Sequence, residues 1–214
     1  MSPAVAGALI AAAFVAAADW VAVAREDRAF ERLAKPGVIV CLFAAVVLAG
    51  PGDSAVRWLL VVALAASLAG DWLLLPPGQF IAGLVAFLVA HLAYLAIFLL
   101  DDVRAEPALV GVAALLVFVV VAGRRIVDGA WKAGLGGPVV AYFGVIAAMA
   151  VTATATGSIL AAAGAWLFVA SDTLLGWDRF VAPPAAAARR RLGVIATYHA
   201  AQVLLTVAVL GLAG

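Results

Sequence analysis

The sequence predicts an all-α integral membrane protein with eight transmembrane helices. Three observations carry that prediction. The chain is 68% hydrophobic and only 12% charged, with a mean hydropathy of +1.21, whereas a soluble domain is about a quarter charged and about half apolar. Its apolar residues gather in runs close to the roughly 20 residues that cross a bilayer as a helix. Its 13 Lys and Arg residues fall very unevenly between alternate connections. No stretch between the runs is long enough for a soluble domain, so 1–214 reads as a single transmembrane domain. The net charge of +1 gives no basic footprint for nucleic acid, and the lone Cys41 gives no disulfide framework.

The spans are expected at approximately 4–24, 36–50, 55–75, 80–100, 107–123, 138–155, 158–175 and 192–213. The first occupies the position of a signal peptide, but no Lys or Arg precedes its apolar run, and a secretory signal needs a positive start. It is therefore expected to stay as a helix. The second is the weakest span, short and bounded by Pro36 and Pro51, with either Pro36 or a start near Leu33 expected to open it. The breaks fall at Pro51-Gly52, Pro76-Pro77-Gly78, Gly136-Gly137-Pro138 and Pro183-Pro184, as turn chemistry requires. Gly144, Gly157 and Gly164 are expected where helices pack closely.

Orientation follows from the positive residues. Arg25, Arg28, Arg32 and Lys35 come after the first span; Arg124, Arg125 and Lys132 after the fifth; Arg179, Arg189, Arg190 and Arg191 after the seventh. With eight spans these share one side, and only Arg57 and Arg104 lie on the other. Both termini are thus expected outside, with the basic connections in the cytoplasm of a bacterial inner (cell) membrane.

The same topology gathers the polar chemistry into one layer. Asp19, Asp71 and Asp172 lie toward the cytoplasmic ends of spans one, three and seven. Tyr142, Tyr198, His199 and Gln202 lie early in spans six and eight, and His91 near the middle of span four, one turn before Tyr94. An ionisable residue inside a membrane is costly and reads as functional by default. Gly70-Asp71-Trp72-Leu73-Leu74 and Ser171-Asp172-Thr173-Leu174-Leu175 each end a span, and each precedes a helix with a His and a Tyr. The pattern suggests a 4+4 parallel repeat.

Two carboxyl groups in a dry site, one protonated and one ionised, can serve as general acid and general base. Asp71 and Asp172 are therefore the candidate catalytic residues. Asp19, beside Trp20, reads either as a third carboxyl of the layer or as part of an interfacial anchor. The sequence holds no HxxxH, HExxH or CxxC spacing and no phosphate-binding glycine loop. No metal and no organic cofactor is expected. Ser67 and Ser171 lack a base at helical spacing. Lys35 reads as one more positive-inside residue or as a partner for a lipid phosphate.

Ser67-Leu-Ala-Gly-Asp-Trp-Leu-Leu74, then Phe80-Ile-Ala-Gly83 leading through Phe87 and His91 to Tyr94, resembles the YhhN family, which includes the mammalian transmembrane lysoplasmalogenases. Ser171-Asp172-Thr-Leu-Leu175, Lys35-Pro36, Tyr142 and the Tyr198–Gln202 pair fit the same resemblance, which extends over about residues 15–210. It implies an eight-helix enzyme that hydrolyses the vinyl ether bond of lysoplasmalogens. The products would be a fatty aldehyde and glycerophosphoethanolamine or glycerophosphocholine. It carries the catalytic role to Asp71 and Asp172, and matches Lys35, His91, Tyr142 and Tyr198 to polar positions lining the site. Asp19, Tyr94, His199 and Gln202 complete the candidate set. The expected partners are a lysolipid substrate and the bilayer, with oligomeric state left open. A small membrane transporter and a hydrolase of another lysolipid are the alternatives.

Overall fold

The computed structural model describes residues 1–50, 52, 54–75, 78–182 and 187–212. The expected breaks at Pro51, Pro76-Pro77 and Pro183-Pro184 lie outside the described residues. Among those described there are eight helices and no strand: α1 (Pro3–Ala24), α2 (Arg28–Leu48), α3 (Ser54–Leu73), α4 (Phe80–Leu99), α5 (Ala105–Lys132), α6 (Gly136–Ala155), α7 (Ile159–Phe180) and α8 (Ala187–Leu212). A helix satisfies its own backbone polar groups, which is why apolar spans of this kind fold as helices in lipid.

Capping explains several of the starts. Ser2 accepts from the N–H of Val5 at 3.3 Å, with Pro3 opening α1. Asp27 accepts from Phe30 at 3.1 Å at the head of α2, and Ser158 from Ala161 at 3.2 Å at the head of α7. Each side chain takes one of the N–H groups that a helix leaves unpaired at its start. At the α5–α6 turn Gly134 sits at φ +73°, a left-handed backbone that glycine adopts without steric cost.

Seven helices are long and apolar enough to cross a membrane; α2 is the remaining one. It begins at Arg28, before either expected start, so Pro36 lies inside the helix rather than opening it. The Asp27 cap and an ion pair from Glu31 to Arg191 of α8 secure the added polar turns. The fifth span also runs further than expected, continuing through a π-helical turn at Val119–Gly123 to Lys132. Arg124 and Arg125 therefore stand on a helix and not in a loop. A π turn shifts the register of the helix beyond it. Before it α5 buries only Gly111 among its described residues; in and after it Ala122, Gly123, Ile126 and Ala130 turn inward.

The helix pairs α1–α2, α3–α4 and α7–α8 pack most extensively, and α4 and α6 join the two halves. The main core contains Ile39, Leu42, Leu64, Tyr94, Phe98, Phe168 and Leu205. A second cluster, Ala122, Ile126, Ala130 and Val139, joins α5 to α6. Of the three glycines expected in packing, Gly164 fits the part, because a Cβ there would come 2.9 Å from Leu205. Gly157 instead takes a positive φ of +75° in the α6–α7 turn, and Gly144 faces open space. Phe14, Leu33, Val47, Leu109, Val120 and Ile159 point outward, as a lipid-facing surface does. Trp58, Trp72 and Trp131 are exposed near helix ends, where indoles favour the headgroup region.

Candidate active site

The last turn of α3, the second turn of α2 and the fourth turn of α8 meet at Asp71. Lys35 of α2 brings its ammonium within 2.9 Å of Asp71 Oδ1. Tyr198 of α8 donates its hydroxyl to Oδ2 at 2.8 Å. The Asp71 side chain is 2% exposed, so the pair lies in a setting where each charge needs the other. The Lys35 ammonium also stands 5.5 Å from the centre of the Tyr198 ring, within cation–π range.

A second carboxyl centre lies on α7. Tyr142 of α6 donates its hydroxyl to Asp172 Oδ2. His91 Nε2 of α4 is 3.2 Å from the same oxygen and 2.8 Å from the Tyr142 hydroxyl. His91 is fully buried, pressed against Phe168 with ring centres 4.6 Å apart. Phe168 also packs edge-on to Tyr198 at 5.5 Å and to Phe87 at 6.3 Å. A single aromatic cluster thus supports residues of both centres.

Asp71 and Asp172 share a cavity of about 220 Å³, whose wall also carries Lys35, Tyr198, Phe87 and Ser171. At its mouth stand Arg28, Glu31, Asp178 and Arg191. Glu31 is bonded to Arg191 and lies 3.8 Å from Arg28; Asp178 pairs with Arg190 at 2.6 Å. An apolar groove of about 30 Å³ abuts the cavity, with Leu74, Phe87, Asp172 and Leu175 on the walls of both. Tyr142 lines the groove beside Asp172.

The remaining expected residues stand behind these walls. Tyr94 donates to Gln202 Oε1 at 2.8 Å, and Gln202 donates to Ser67 Oγ at 2.8 Å, all three buried. Asp19 and His199 are buried together, with His199 Nε2 3.9 Å from Asp19 Oδ2. The Trp20 indole donates to His199 Nδ1 at 3.2 Å, so Trp20 does more than mark an interface: it leaves the imidazole proton on Nε2, facing Asp19. None of these residues is on the cavity wall. Ser171 donates to the Val194 carbonyl at 3.0 Å and Ser67 accepts from Gln202, so neither serine has an imidazole partner. Among the described residues no group of three His, Cys, Asp or Glu side chains gathers to hold a metal ion.

Sequence reading did not single out Glu31, Arg28, Arg191, Asp178 or Phe87 as residues of the site. Arg28 and Glu31 have the i,i+3 spacing of a helical ion pair, a signal hidden because α2 was expected to start later. Arg191 and Glu31 are 160 residues apart, a proximity only the folded chain reveals.

Compared with known proteins, residues 30–209 match the YhhN family. The chain is 37% identical over 174 residues to a lysoplasmalogenase of Mycobacterium bovis, covering 77% of this chain and 65% of that protein. It is 36% identical over 172 residues to mouse lysoplasmalogenase TMEM86B, covering 80% and 72% of the two chains. For the human TMEM86B the identity is 33% over 183 residues, covering 85% and 76%. The chain thus spans less than two thirds of the length of the mycobacterial relative. No solved structure matches it.

Proposed function

This chain belongs to the YhhN family, and from that premise we propose that it is a membrane hydrolase that cleaves the vinyl ether bond of lysoplasmalogens. The products are a fatty aldehyde and glycerophosphoethanolamine or glycerophosphocholine. The observation that carries the reading is the presence of Asp71 and Asp172 on one cavity wall with unlike partners. An ammonium beside Asp71 suits a carboxylate that accepts a proton. Asp172 stands where the cavity meets the apolar groove, held by Tyr142 and His91, and is assigned the proton-giving role.

The reaction then runs much as glycoside hydrolysis does, through an oxocarbenium ion. Asp172 delivers its proton to the vinyl carbon that bears no oxygen, and the double-bond electron pair takes it. The positive charge left on the oxygen-bearing carbon is opposed by the carboxylates. Water adds to that carbon while Asp71 takes a proton from it, giving a hemiacetal. The hemiacetal hydroxyl returns a proton to Asp172, the carbon–oxygen bond to glycerol breaks, and Asp71 protonates the departing oxygen. Both carboxyls end as they began. Lys35, Arg28 and Arg191 line the same cavity and supply charge for the headgroup phosphate.

The reading sets the cavity near the cytoplasmic face of the inner membrane, with both termini outside, because the basic residues gather at the same end of the helices as the site. A 4+4 duplication within one domain agrees with the contacts: α2 and α6 each reach a carboxyl on the following helix, through Lys35 and Tyr142. Purified protein in detergent should release aldehyde from lysoplasmenylethanolamine. Folded protein that releases none from this or the choline analogue would rule the reading out. Activity that needs a sealed membrane would point to a carrier.

A further inference from the structure

The apolar groove beside Asp172 has no part in the chemistry just described. Its walls come from four helices and the residue that follows α3: Leu74, then Leu84 and Phe87 of α4, Ile126 of α5, Phe143 of α6 and Leu175 of α7. Polar side chains reach it only from Tyr142 and Asp172, among the described residues. It therefore meets the charged cavity at the residue assigned as acid. We infer that this groove seats the hydrocarbon chain of the substrate and determines which chain lengths are hydrolysed. This rests on the hydrolase reading, and it adds a site and residues that the reading does not need.

Three observations fix the occupant as one hydrocarbon chain. The groove is walled almost wholly by apolar side chains and holds about 30 Å³ of open space, so seating a chain requires Leu84, Phe87 and Phe143 to move apart. It is continuous with the cavity through Leu74, Phe87, Asp172 and Leu175, so a molecule with its polar end among Lys35, Arg28 and Arg191 has its chain start here. A second chain on the same glycerol would be pressed against Glu31, Asp178 and the arginines, where its burial would strip charges of water.

The far end of the groove is marked by Phe80 and Phe180, packed edge to face at 5.8 Å, with the Arg179 guanidinium 5.3 Å from the Phe80 ring. Leu74, Phe80 and Leu175 continue onto an outer depression of about 420 Å³ that also includes Arg179 and Ile81. A chain longer than the groove must displace this aromatic pair. A chain drawn from a bilayer or micelle is already out of water, so chain length is discriminated by fit against this end rather than by transfer from water.

The test is kcat/KM for lysoplasmenylethanolamines of increasing chain length, in mixed micelles, for wild type, Leu84→Trp and Phe143→Ala. The readout is the ratio of long-chain to short-chain kcat/KM within each protein, which a general loss of fold leaves unchanged. Leu84→Trp fills the groove and lowers that ratio by about tenfold or more; Phe143→Ala widens it and raises the ratio. A ratio that stays at the wild-type value in both variants overturns the inference. If wild type hydrolyses no member of the series, the hydrolase reading has failed and the groove is tested by binding alone. A lysolipid brominated at the chain terminus then quenches an indole placed at the groove's far end by Phe80→Trp if the inference holds; fluorescence no more quenched than in wild type overturns it.

Discussion

Tyr198 of α8 donates its hydroxyl to Asp71 of α3 at 2.8 Å, across 127 residues of chain. The second carboxyl is held in the reverse sense: Asp172 of α7 lies 3.2 Å from His91 of α4, 81 residues earlier. Each half of the chain thus supplies a carboxyl and a side chain that holds the other half's carboxyl. Neither half contains a complete centre, so the site exists only when the two halves are packed together.

The Lys35–Asp71 pair is the charged contact at the base of the cavity, with side chains 12% and 2% exposed. Removing one partner of a buried pair strands the other charge, at a cost of about 3–5 kcal/mol. Lys35→Met should therefore lower stability strongly in detergent. The double variant Lys35→Met with Asp71→Asn should be clearly less destabilised than the sum of the two single changes. Additive losses on thermal unfolding would show that the pair is not coupled.

Tyr142→Phe removes the hydroxyl that bonds both Asp172 and His91. A hydrogen bond between uncharged groups contributes about 0.5–1.5 kcal/mol, which converts to roughly two- to tenfold in rate. Aldehyde release should fall by that factor with the protein still folded. Wild-type turnover in Tyr142→Phe would remove Tyr142 from the acid's surroundings.

Gln202 links Tyr94 to Ser67 behind the cavity, fully buried. Gln202→Leu leaves two hydroxyl groups without that partner. The expected loss is about 1–2 kcal/mol of stability, since polar pairs inside membrane bundles are individually modest. An unfolding assay showing no loss would mean that both hydroxyls find other partners.

Gly70 precedes Asp71 and faces Phe87, whose ring would lie 2.6 Å from a Cβ added there. Phe87 lines both the cavity and the groove. Gly70→Ala should therefore displace it and reduce kcat/KM by about ten- to a hundredfold. Unchanged kinetics would show that the ring shifts without disturbing the site.

Much of this architecture is legible in the sequence because lipid imposes simple rules. Apolar runs mark the helices and put Asp71 at the end of α3 as expected, but α7 continues to Phe180, so Asp172 lies two turns before its end, and α8 starts at Ala187, so Tyr198 lies well inside it. The start of α2 was hidden because Arg28, Glu31 and Arg32 break the apolar run, and because a proline is expected to open a helix, not to sit inside one. The π turn at Val119–Gly123 has no compositional mark. Cross-helix choices were equally hidden. Sequence spacing groups His91 with Tyr94, yet in the fold His91 turns to Tyr142 and Asp172 while Tyr94 turns to Gln202. Their separate partners depend on packing, which no local pattern records.

The central claim is that two carboxyls with unlike partners cleave a vinyl ether. The most direct measurement is aldehyde release from lysoplasmenylethanolamine by purified wild type, Asp71→Asn and Asp172→Asn, each checked for intact fold. The account predicts release by wild type and losses on the order of a hundredfold or more in each variant. Near wild-type release by either variant would contradict it.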